Sequence, residues 1–110
     1  MKQALIYVQD PNALKNWLAA CGTKAKVLYD LDDLQNRFAS SDNLLLIQIT
    51  DSSSIEKIAE LSQHFDTIAT SNEPTDTEGL YLFQSGVKGY INTFSSVERI
   101  QQAVETVKSG

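Results

Sequence analysis

At 110 residues the chain is the length of one domain, which can bury roughly two-thirds of its unfolded surface without staples. Its formal net charge of −5 repels phosphate backbones and argues against a nucleic-acid binder acting alone. A single cysteine, Cys21, makes no internal disulfide and suits a reducing cytoplasm, and no apolar run nears the roughly 20 residues of a membrane span.

The N-terminus is too short in apolar residues for a signal peptide, and Ala4 to Val8 reads as a first strand ending at Gln9-Asp10-Pro11. Asp10 or Asn12 then caps a helix with Leu14, Trp17, Leu18 and Cys21 on its buried face, and Gly22 stops it. Ala25 to Tyr29 predicts a second strand. Asp30 caps a short helix with Leu31, Leu34 and Phe38 on one side. Asn43 to Ile49 predicts a third strand, with four apolar residues, Leu44 to Ile47, before Gln48 and a polar exit at Thr50-Asp51. A run so short and so apolar suits a strand buried on both faces, at the centre of a parallel sheet.

Ser53 and Glu56 have capping-box spacing ahead of a third helix that buries Ile55, Ile58, Ala59 and Leu61 and ends near His64. Phe65 to Thr70 is a shorter, less apolar strand, followed by the loop Ser71-Asn72-Glu73-Pro74. Thr75 and Glu78 form a second capping-box pair. The fourth helix carries Leu80, Tyr81, Leu82 and Phe83 and stops at Gly86. Val87 to Asn92 is a fifth strand. Ser95 and Glu98 make a third capping-box pair, and the last helix buries Val97, Ile100, Val104 and Val107.

Five strands alternating with five helices predict a flavodoxin-like, three-layer α/β/α sandwich with a five-stranded parallel sheet in the order 2-1-3-4-5. The carboxyl ends of strands one and three then meet at the point where the strand order reverses, where open α/β sheets place their chemistry. Gln9, Asp10 and Gln48 arrive there, with Thr70 and Thr93 beside them.

From Gly79 the chain reads Gly-Leu-Tyr-Leu-Phe-Gln-Ser-Gly-Val-Lys-Gly-Tyr-Ile, with Ser95-Ser96 opening the last helix. This stretch resembles the signature of CheY-like response-regulator receiver domains, most closely those of LuxR/NarL-type transcriptional regulators. The strand-helix order agrees along the whole chain. The resemblance implies a site with two acids that hold magnesium, an aspartate that accepts the phosphoryl group, a hydroxyl residue and a lysine. By position these fall on Gln9 and Asp10, on Gln48, on Thr70 and on Thr93. The aromatic that changes rotamer in active receivers falls on Tyr90.

Three of the five parts are therefore missing. An amide is a far poorer nucleophile than a carboxylate, Asp10 alone is a thin anchor for magnesium, and no cation is left to meet phosphoryl charge. The sequence predicts a pseudo-receiver: not an enzyme, with no metal and no cofactor, acting as a cytoplasmic signalling and protein-interaction module. Tyr81, Tyr90 and Phe94 are expected on one face, formed by the fourth helix, fifth strand and fifth helix, that binds a protein partner or a second copy. The alternatives are a small-ligand sensor using the uncharged pocket, and a displaced phosphoacceptor at Asp51, which also reads as a helix cap. In LuxR-type regulators the chain continues through a linker to a helix-turn-helix domain. Residues 1–110 contain no basic recognition helix, so such a domain follows Gly110 or the chain is an adaptor.

Other signals read as structural. His64, the single histidine, suits a solvated helix end. Cys21 lies on an apolar helix face. Gly86-Val87-Lys88-Gly89 lacks phosphate-loop spacing, and Ser52 to Ser54 have no base partner.

Overall fold

The computed structural model describes residues 4–22, 25–30 and 43–109. Strands β1 (Ala4–Tyr7), β2 (Lys26–Val27), β3 (Leu44–Gln48), β4 (Asp66–Ser71) and β5 (Gly89–Asn92) form one parallel sheet in the order β2-β1-β3-β4-β5. Four helices are described: α1 (Pro11–Cys21), α2 (Ser52–Leu61), α3 (Asp76–Ser85) and α4 (Val97–Ser109). The helix expected at Leu31, Leu34 and Phe38 lies outside the described residues. None of the described helices is long and apolar enough to cross a membrane.

All five residues of β3 are buried, as its composition predicts for the central strand. Successive side chains point to opposite faces. Leu45 and Ile47 pack with Ile58 and Leu61 of α2 and Leu82 of α3, while Leu44 and Leu46 pack with Trp17 of α1 and Ile100 and Val104 of α4. Two apolar layers thus hold one sheet. Burying each large side chain contributes about 1.5–3 kcal/mol.

Local chemistry sets most of the element ends. Asp10 caps α1 by accepting from the Asn12 N–H at 2.9 Å. Gly86 takes φ of 111° at the end of α3, a left-handed conformation that a side chain would strain.

Several boundaries differ from expectation. α2 is capped by Asp51, not Ser53. Asp51 Oδ1 accepts from Ser54 N–H at 3.0 Å, and Ser54 Oγ accepts from Asp51 N–H at 3.2 Å. The cap therefore falls two residues earlier than the Ser53 spacing predicts. At α4, Ser96 Oγ accepts from the Arg99 N–H, while Ser95 Oγ instead donates to the Asn92 carbonyl. β2 is shorter than Ala25 to Tyr29, although the Leu28 N–H still reaches the Ile6 carbonyl at 2.7 Å. Leu18 is 36% exposed, because Ala13 and Trp17 are the pair set on the sheet and Leu18 lies about 100° further round the helix.

Candidate functional site

The carboxyl edge of the sheet gathers the polar residues. In the sheet register Gln48 pairs with Thr70. Gln48 is almost fully buried, and its amide is occupied at both ends. Oε1 accepts from the Gln9 backbone N–H at 2.8 Å, and Nε2 donates to Asn72 Oδ1 at 3.1 Å. The side chain that ends β3 therefore ties the loop after β1 to the loop after β4. An amide can do both because it carries an acceptor and a donor, whereas a carboxylate only accepts.

Thr70 and Thr93 are fully buried and bonded to each other, with Thr93 Oγ1 donating to Thr70 Oγ1 at 3.0 Å. The Thr93 backbone is held as well. Its N–H donates to the Ser71 carbonyl at 2.9 Å, and its carbonyl accepts from the Trp17 indole N–H at 3.0 Å. Among the described residues no buried side-chain nitrogen or oxygen lacks a partner.

This donor set does not fit magnesium. Asp10 is the one carboxylate among the five positions, and it caps α1. The Gln48 oxygen that faces the edge is already taken by Gln9. Among the described residues no group of three His, Cys, Asp or Glu could hold a metal ion. Gln9 and Asp10 border a cleft of about 310 Å³ with Tyr7, Leu14, Leu28 and Tyr29, to which Gln48, Thr70 and Thr93 do not contribute.

Tyr90 belongs to a different arrangement. Its ring lies over Gly79, where an added Cβ would come within 2.9 Å of Cδ2. Its hydroxyl accepts from the Thr75 N–H at 3.0 Å and donates to Glu78 Oε1. Thr75 Oγ1 accepts from the Glu78 N–H at 3.2 Å, which is one half of the expected capping box. The other half, Glu78 back to the Thr75 N–H, runs through the phenol. Burial and the Glu78 hydrogen bond push the Tyr90 hydroxyl above its ordinary pKa. The protonated phenol is the form that completes the relay. Its contribution is therefore fully present below about pH 10 and is lost as pH rises through the folded value. In an ultraviolet titration of the folded chain, Tyr90 is expected to ionise above the ordinary phenol value of about 10. Tyr90→Phe should remove that step, and Gly79→Ala should bring it back toward pH 10 by displacing the ring. A late phenol that survives both changes would belong to another tyrosine.

The structure groups Tyr90 with Leu80 and Phe83 around a second cleft, whereas Tyr81 and Phe94 are exposed outside it. Asp51 serves as the α2 cap. His64 is exposed in the turn after α2, and burial pushes the Cys21 thiol up. Asn72 and the Trp17 indole are the participants that sequence reasoning missed, and Glu78 was legible as a cap but not as the acceptor of the Tyr90 hydroxyl. Asn72 was legible only as a loop residue, and Trp17 only as core.

A pilus assembly-related protein of Burkholderia pseudomallei superposes with a TM-score of 0.75 at 14% identity, covering 99% of this chain and 90% of that one. A signal receiver domain of two-component signal transduction from Clostridium thermocellum gives 0.69 at 14% identity, covering 96% and 95%. The fold is that of a receiver domain. An atypical orphan response regulator with a phosphorylation-independent regulatory mechanism also shares this receiver fold, with a TM-score of 0.67 at 19% identity over 97% of this chain and 94% of that one. No family model matches the sequence, and no curated protein matches it.

Proposed function

We propose that the chain is a receiver-like signalling and protein-interaction module that works without phosphoryl transfer and is not an enzyme. The observation that carries this reading is Gln48: the side chain at the phosphoacceptor position is an amide, buried and bonded to Gln9 and Asn72. The Thr93–Thr70 hydrogen bond supports it, because it stands where a receiver places its lysine. A module without this switch must take its signalling state from binding or from a fixed conformation. Its interaction face is α3, β5 and the start of α4, where Leu80, Tyr81, Phe83 and Phe94 are exposed. In its narrower form, the module serves a LuxR/NarL-type transcriptional regulator in the cytoplasm. Receiver folds also occur in a pilus assembly-related protein, so the fold leaves the effector open.

The test is incubation with acetyl phosphate and magnesium, and separately with beryllofluoride, read by intact mass and amide NMR. No added phosphate and no shifts around Gln48 are expected. One added phosphate would overturn the reading, and its mapping to Asp51 would reinstate the displaced acceptor.

A further inference from the structure

α3 carries more apolar surface than the sheet uses. In its run of four apolar residues only Leu82 is buried, while Leu80 is 61% exposed and Phe83 51%. Leu80 and Phe83 are three residues apart and share a helix face. With Pro74, Gly79 and the Tyr90 ring they line a cleft of about 370 Å³. Its lining is mostly apolar, and the one charged side chain in it is an acid. Asp76 borders it, and exposed Glu73 directly precedes Pro74. Neither carboxylate has a partner among the described residues, and no lysine or arginine lines the cleft.

We propose that this cleft takes a basic amphipathic segment of another protein. Apolar side chains enter between Leu80, Phe83 and Tyr90, and lysine or arginine side chains meet Asp76 and Glu73. The inference rests on the interaction-module reading and names the chemistry of the partner. Charge complementarity selects the occupant. In a two-fold dimer a second copy would set its own Asp76 and Glu73 against the same acids, in a chain of net charge −5. The same acids repel anionic lipid and nucleic acid.

The test uses the isotope-labelled chain titrated with a short helical peptide of leucine and lysine, followed by amide NMR. Shifts are expected around Pro74, Leu80, Phe83 and Tyr90. Leu80→Ser with Phe83→Ser should weaken binding roughly thirtyfold, as for loss of an apolar anchor. Glu73→Lys with Asp76→Lys should weaken it about tenfold through the reversed charge. Glu105→Lys, on exposed α4 across the sheet, should leave it unchanged, and a leucine–glutamate peptide should not bind. Shifts spread over the whole acidic surface, or equal weakening by Glu105→Lys, would reduce the effect to bulk electrostatics and overturn the proposal. So would concentration-dependent self-association abolished by Leu80→Ser, which assigns the cleft to a second copy. Those outcomes leave phosphate uptake at zero, whereas failure of the underlying reading shows as phosphate uptake.

Discussion

The Gln48→Asp variant is expected to remain essentially unphosphorylated by acetyl phosphate, while Gln9→Asp, Gln48→Asp and Thr93→Lys combined raise the initial rate at least about a hundredfold over it. That factor is the usual size of one preorganised electrostatic contact in a transition state. On the proposed function, the single variant gains a carboxylate at the acceptor position but still has one acid for magnesium and the Thr93–Thr70 hydroxyl pair at the lysine position. It should also be less stable than the wild type. An aspartate at position 48 is buried and loses the donor that reaches Asn72. Burial raises its folded pKa above the unfolded value of about 3.9, so the penalty is absent below that pH and grows as pH rises through the folded value. Thermal melts across pH check the sign, and equal phosphorylation rates in the single and triple variants would show that the magnesium and lysine positions matter less than argued.

The largest loss of stability is expected at Trp17. Trp17→Ala should cost about 3–5 kcal/mol, the range for deleting a buried large aromatic side chain, and lower the melting temperature by roughly 15 °C or more. Trp17 is fully buried between α1 and the sheet, and its indole N–H holds the Thr93 carbonyl. Trp17→Phe separates the two contributions. It keeps most of the packing but leaves that carbonyl without its donor, which should cost about 1–3 kcal/mol. Urea unfolding of both variants reads the difference. If Trp17→Phe were as stable as the wild type, the bond to Thr93 would contribute nothing.

The sheet order was legible because the strands and helices announce themselves locally: β3 by its unbroken apolar run, α1 by Asp10 and Gly22, α3 by Thr75 and Gly86. The positions of Gln9, Gln48, Thr70 and Thr93 at one edge followed from that order alone. Features that depend on long-range geometry were not legible. Asn72 joins Gln48 across two strands and 24 residues of sequence. The spacing of Thr75 and Glu78 predicts a capping box, but nothing local says that a tyrosine hydroxyl from β5 will enter it. Helical spacing marks a broad stripe that includes Leu18, and only the seating of Trp17 decides which part of that stripe meets the sheet. The apolar run on α3 signals exposed surface, and within it Leu80 and Phe83 line one cleft with Tyr90.

The Gln48 bridge also bears on how a cell would set the strength of the output. A receiver that is switched chemically can be half on, because a fraction of its molecules carries the modification. On the reading proposed above, a chain whose central side chain is an amide fastened on both sides has no such fraction to vary. On the proposed function, the quantity left to adjust is the number of molecules. Partner engagement would then follow copy number by mass action, steepest where the concentration of the chain lies near the dissociation constant. Synthesis and degradation would do the work that kinases and phosphatases do elsewhere. Titrating expression in cells while reading partner occupancy should give a single saturating curve that is unchanged when the upstream kinases are removed.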